Sequence, residues 1–322
     1  MKNIFATLAL ILAFFGVQAQ LYPQFTNFAH NRNVLNPAVS GSEEYIDIVA
    51  LYRAQWVGIE GAPSTQSLSA SMPIYRIKSG VGLMVVNDML GAQRTTTVHA
   101  SYAYHMKFKF GNLAAGVGLG FFQKGIDGGK LRSPEGIYTG GINHQDNFIP
   151  DQLVSGIAPD LSAGIYFNNK KLYTGVSVNN LLASKVTIDG QGSSSKISTP
   201  RSLNFLAGYS IELNRNLKLQ PNVLLQSDFK TFQTSVNLIL YYKDNFHGGL
   251  AFRGSTANNI DGFSALFGVR LVKQLHLGYS YDFSLSKLNQ VNSGSHEVFA
   301  RYIINIKDGS KPGKIIYNPR FL

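Results

Sequence analysis

The chain contains no cysteine. Disulfides and cysteine-based metal sites are therefore excluded, as is a lipid carried on an N-terminal cysteine. Charge is scarce: 15% of residues, against about 25% in an ordinary soluble domain. Long apolar runs are scarcer still. The best candidate, Ile4–Val17, falls short of the about twenty residues that a membrane helix needs. With Lys2 before it and Val17-Gln18-Ala19 behind it, residues 1–19 read as a secretory signal rather than an anchor. If the exported remainder sits in a membrane, it does so as a closed barrel, because only helices and closed barrels satisfy every backbone group in lipid.

Motifs of chemistry are also missing. No Gly-x-Ser-x-Gly elbow and no paired carboxylates stand out, so nothing marks an enzyme. The seven histidines form no ligand set. His99 and His105 share one strand face but lie too far apart along it to chelate one ion, so neither metal nor cofactor is expected. Gly116-Val117-Gly118-Leu119-Gly120 lacks the Lys-Ser/Thr of a phosphate loop and opens no helix. The net charge of +11 comes with no basic helix and no nucleic-acid motif. Lipopolysaccharide phosphates, outer-membrane lipid and acidic periplasmic proteins are the counter-charges an exported chain would meet.

What the chain has is alternation, along with 32 glycines and 16 tyrosines. From Thr96 to Phe122 two alternating runs flank the turn Lys109-Phe110-Gly111-Asn112. Val98, Ala100, Tyr102, Tyr104, Leu119 and Phe121 share a greasy face, and His99, Ser101, Gly116, Gly118 and Gly120 the opposite one. Strands of about ten residues, tilted about 45°, span a bilayer's apolar band, whereas soluble strands average about five or six.

Similar stretches recur at Tyr45–Val57, Thr65–Ile74, Gly80–Asn87, Thr95–Lys109 and Asn112–Gln123. Others are Asp160–Asn168, Lys171–Asn179, Arg201–Leu213, Asn216–Gln226 and Thr231–Tyr242, then Phe246–Arg253, Gly262–Leu271, Gln274–Ser284 and His296–Ile306. This predicts an all-β fold: a transmembrane outer-membrane barrel of about fourteen antiparallel strands over residues 45–306. Short and long links alternate, and only Ser227–Lys230 is short on the outer side. A soluble sandwich or propeller is the competing fold, but no fixed-period repeat supports a propeller.

Residues 20–44 read as an irregular N-terminal arm or plug, and residues 307–322 as a periplasmic tail. Asp47, Arg53 and Gln55 face the lumen, where the two charges neutralise each other or a neighbour. Gly116, Gly118 and Gly120 leave a bare inner track, which Gly164, Gly208, Gly268 and Gly278 extend. The track either relieves curvature or makes room for the arm or a guest segment. The short turns are basic, notably at Lys170 and Lys171. The tail adds Lys311, Lys314 and Arg320 among Tyr317, Phe321 and other apolar residues, a segment suited to docking a partner.

Several motifs follow in order: Pro23-Gln24-Phe25, Asn36-Pro37-Ala38, Ser40-Gly41, Leu51-Tyr52-Arg53-Ala54-Gln55-Trp56-Val57-Gly58, Gly61-Ala62-Pro63 and Thr65-Gln66-Ser67. Dense over Leu21–Pro73, this series resembles the PorP/SprF family of outer-membrane proteins of the Bacteroidetes type IX secretion system. The Asn318-Pro319-Arg320-Phe321 ending fits it too. The Gly/Ser-rich segment Asp189–Ser198 departs from it and reads as a member-specific external loop. The resemblance implies a non-enzymatic role in secretion or surface attachment of a large substrate, such as a gliding adhesin. It also implies contacts with the substrate's C-terminal domain and with periplasmic secretion and motility subunits. The competing readings are a channel for small hydrophobic solutes, like the fatty-acid transporters, and a purely structural barrel.

Overall fold

The computed structural model describes residues 23–139, 141–146, 149–189, 194–256, 259–285 and 290–306. Residues 1–19, read as a signal, and the tail at 307–322 lie outside the described residues.

The period-two stretches fold as strands that join edge to edge. β1 (Tyr45–Ala54), β2 (Ser64–Ile74), β3 (Ser79–Leu90), β4 (Gln93–Phe108), β5 (Gly111–Asp127), β6 (Leu153–Asn168) and β7 (Leu172–Asn179) pair antiparallel in chain order. A separate hairpin follows, made of β8 (Lys185–Asp189) and β9 (Ser194–Ser198). The wall resumes with β10 (Ser202–Tyr209), its two-residue continuation β11 (Ile211–Glu212), β12 (Leu217–Ser227) and β13 (Phe232–Tyr242). It ends with β14 (Phe246–Thr256), β15 (Asn259–Arg270), β16 (Leu275–Ser284) and β17 (Ser295–Asn305). β10 pairs with both β7 and β12, and β1 pairs with β17 from Tyr45↔Asn305 to Ala54↔His296. With β10 and β11 taken as one stave, fourteen antiparallel strands form a closed barrel. Closure removes the edges on which a sheet of this size would aggregate.

The wall is inverted relative to a water-soluble sheet. Outward residues are apolar and bare: Leu119 is 62% exposed, Ile157 66% and Leu250 65%. Inward alternates such as Ser69, His99, Ser162, Asn204, Asn237 and Ser280 are buried. A large apolar side chain left in water forfeits about 1.5–3 kcal/mol. A wall lined with them is stable only against hydrocarbon. Among the described residues no helix is long and apolar enough to cross a membrane; the chain crosses with strands.

One end of the barrel carries uniformly short links, at 75–78, 109–110, 169–171, 213–216, 243–245 and 271–274. Outer-membrane barrels turn their short links to the periplasm, which orients the molecule. The outer end is more varied than the sequence pattern implies. The β3–β4 link is also short, at Gly91 and Ala92, with Gly91 at φ +59°. At the short β12–β13 link, the Asp228 carboxylate accepts from the amides of Lys230 (3.0 Å) and Thr231 (2.6 Å) and from the Thr231 hydroxyl (2.8 Å). Partial burial opposes its charge, but these donors outweigh it and hold the carboxyl below its usual range. They also steady Phe229 at φ +66°.

β4, β5 and β6 contain 16, 17 and 16 residues, more than a bilayer needs. Their outer ends project, and the β8–β9 hairpin leans on them. Val186 and Ile188 bury against Phe122 and Ala158 in a small core of their own. The expected loop at Asp189–Ser198 is corrected accordingly. Ser194–Ser198 is a strand, ordered because Val186, Ile188 and Ile197 have apolar partners on the projecting strands.

Candidate functional site: the filled lumen and its short-turn mouth

Residues 23–44 run inside the ring. The expectation of irregular chain is corrected by three helical turns: a 3-10 turn at Phe28–His30, helix α1 at Arg32–Leu35, and a second 3-10 turn at Pro37–Val39. The last is set locally. Asn36 is extended, its side chain accepts from the Ala38 amide at 2.9 Å, and Pro37 takes the first helical position. Phe25, Phe28, Val34, Leu35 and Val39 bury in one cluster with Leu51, Tyr166, Leu206, Ile239 and Phe299 of the wall.

Toward the outer end, ions clasp the segment. Arg53 on β1 is 1% exposed. It donates to Asp282 on β16 at 2.5 Å and to Glu297 on β17 at 3.1 Å. Glu297, fully buried, accepts from the amides of Thr26 (2.9 Å) and Asn27 (2.7 Å). The Thr26 hydroxyl donates to Asp282 at 3.0 Å and accepts from Arg253 at 2.9 Å. Each buried ion forgoes several kcal/mol of hydration, which only such dense pairing offsets. Asp47 pairs with Arg301 at 2.7 Å. Asp47 and Arg53 thus neutralise neighbours and not one another. Gln55 is buried just past the end of β1, its backbone N–H donating to the Pro63 carbonyl at 2.9 Å.

Lower down, missing side chains make the room. A methyl group on Gly116 would lie 2.5 Å from the Ala38 Cα, and one on Gly80 2.4 Å from the Gly41 Cα. Gly41 itself sits at φ +69°, which favours glycine. Gly164 faces the Asn36 amide, which also donates to the Ile165 and Val176 carbonyls at 3.0 and 3.3 Å. The glycine track is shorter than expected. Gly118 is crowded first by Ser162 and only at 3.6 Å by Pro37, and Gly120 by the Val98 carbonyl. Gly208, Gly268 and Gly278 are filled by the rings of Tyr173, His247 and Phe299, not by the arm. His99 pairs with Asp160 at 2.8 Å, and His105 binds the Ser40 carbonyl at 2.9 Å.

The sequence reading missed Asp282, Glu297, Arg253 and Gly80. Glu297 had a signal: the one carboxylate of its strand, at an inward position, requires a cation opposite. The arrangement grips a chain segment. Among the described residues, no group of three or more His, Asp or Glu is placed to hold a metal.

At the short-turn mouth a cavity of about 780 Å³ opens beneath the arm's exit. It is bounded by Gly41–Glu44, by the turns that carry Lys78, Lys109, Lys170 and Lys171, and by Lys107, His105, Asn112 and Asn168 of the wall. Lys311, Lys314, Tyr317, Arg320 and Phe321, also expected to dock partners, lie outside the described residues.

A closed, lipid-facing ring with a filled lumen defines the class: an outer-membrane β-barrel. The chain resembles several solved structures in shape. The monoaromatic hydrocarbon channel CymD superimposes with a TM-score of 0.52 at 12% identity, over 91% of this chain and 96% of that one. A Pseudomonas aeruginosa FadL homologue gives 0.45 at 13% identity, over 88% and 95%. Acinetobacter baumannii Omp33 gives 0.45 at 6%, over 82% and 100%. No curated protein matches the chain. The model of the type IX secretion system membrane protein family PorP/SprF matches residues 17–302, and the chain belongs to that family.

Proposed function

We propose that this barrel assists secretion or surface attachment of one large protein, such as a gliding adhesin. It holds the substrate's C-terminal domain and docks to periplasmic subunits of the type IX machinery. The observation that carries this reading is the family match over residues 17–302. Two structural features support it. The lumen is occupied by the protein's own arm, which suits a platform better than an open pore. The outer end projects well past the bilayer and carries an extra hairpin, while the opposite end is ringed with lysines.

In this proposal the arm, Asp47, Arg53, Gln55 and the glycine track around Gly116 brace the platform. Lys170 and Lys171, together with the tail residues Lys311, Lys314, Tyr317, Arg320 and Phe321, meet periplasmic partners. Deleting the gene and profiling surface and medium proteins tests the role. Loss of one or a few large proteins is expected; an unchanged profile overturns it. A second reading, passage of small hydrophobic solutes, draws on the shape shared with CymD, a hydrocarbon channel. A bound hydrocarbon or detergent running through the lumen would favour it, but the arm and the ionic clasp that holds it in the lumen do not.

A further inference from the structure

The cavity at the short-turn mouth has a lopsided charge. Lys78, Lys107, Lys109, Lys170 and Lys171 bound it, all exposed. Among the described residues none of them is in an ion pair. Of the two acids at its edge, Glu43 is already held by Arg32 at 2.8 Å, which leaves Glu44. Its lining also holds Asn112 and Asn168, the inward Pro73, and, at its outer edge, the paired Leu172 and Tyr209. The volume, about 780 Å³, is that of a site for a ligand of several hundred daltons, or a few residues of extended chain.

We infer that this cavity is the receptor for a short, extended, acidic peptide segment of a periplasmic protein, with an aromatic or aliphatic side chain seated against the Leu172–Tyr209 pair at its edge. The inference rests on the docking role proposed above and names its place and chemistry. Two observations choose this occupant. The unpaired lysines call for carboxylates. Asn112 Oδ1, buried and without a hydrogen-bond partner, can accept from a main-chain amide. β17 ends at Asn305 opposite Tyr45. The sequence that follows carries Lys307, Lys311, Lys314 and Arg320 against Asp308, the same sign as the rim and so a poor match for it.

The test uses the full chain in detergent or nanodiscs and a fluorescent peptide, acetyl-Asp-Glu-Phe-Glu-Asp-amide, with an Asn/Gln counterpart as control. The acidic peptide is expected to bind, and its affinity to fall as salt rises. The double variant Lys170→Glu/Lys171→Glu is expected to weaken it by about tenfold or more. Both positions are exposed turn residues, and unchanged heat-induced unfolding would show that the variant barrel is intact. Tyr209→Ser is expected to weaken the acidic peptide but not a Phe-free version of it. Equal binding of the Asn/Gln peptide overturns the inference. So does displacement by millimolar inorganic phosphate, which would indicate a simple anion site, or binding that appears only after residues 307–322 are removed, which would make the tail the occupant. A changed exoproteome in the deletion strain, together with normal secretion by the charge-reversed variant, would sink the inference and leave the secretion role standing. Peptide binding with an unchanged exoproteome would do the reverse.

Discussion

Glu297 touches nothing but partners. Its two oxygens take the Thr26 and Asn27 amides and the Arg53 guanidinium, and its side chain is out of water. Removing it strands a cation and two amides in a low-dielectric interior, at about 3–5 kcal/mol. Glu297→Ala is therefore expected to lower the temperature at which the compact, unheated form opens on denaturing gels. Glu297→Gln keeps an acceptor for the amides and is expected to cost about 1–3 kcal/mol. Equal behaviour of both variants and the parent would show that the clasp carries no stability. At this scale the sequence was legible only in part. The inward direction of Arg53 follows from its place in β1, but its partners Asp282 and Glu297 are more than 220 positions away, and strand alternation carries no information about which staves the arm will touch.

The staves themselves were readable because hydropathy repeats every second residue wherever lipid lies on one side and packed polar groups on the other. Their outer ends were not, because past the bilayer the outer face meets water and the repeat fades. The β8–β9 hairpin was invisible for a related reason: its order comes from leaning on Phe122 and Ala158, not from its own Ser-rich sequence. The arm hid its helical turns because each is a single turn or less, too short for a 3.6-residue period to register. Its fit against the wall yields a prediction at the level of elements. Gly116→Leu places a side chain where Ala38 now lies. Trypsin is then expected to cut at Arg32, protected in the parent, while the β-sheet circular dichroism stays unchanged. Val117→Leu, on the lipid side, is the control and is expected to leave Arg32 protected. Protection of Arg32 in Gly116→Leu would mean that the arm has room to spare.

For the whole molecule, closure rests on the seam between β1 and β17, where Ala50 faces Ala300 across ten paired positions. Because the chain has no native cysteine, Ala50→Cys with Ala300→Cys offers a clean check. Oxidation is expected to give a circularised product that runs faster even after boiling, at no loss of yield. No cross-link would mean that the ring is open there.

The same seam bears on the order of assembly. Arg53 lies on the first stave and Glu297 on the last, and Thr26 and Asn27 bind the acid from within. A ring closed with the arm outside would leave those charges over a hollow. An arm already laid along the nascent sheet when the final strand arrives would spare them that state, as a mandrel around which the barrel is wrapped.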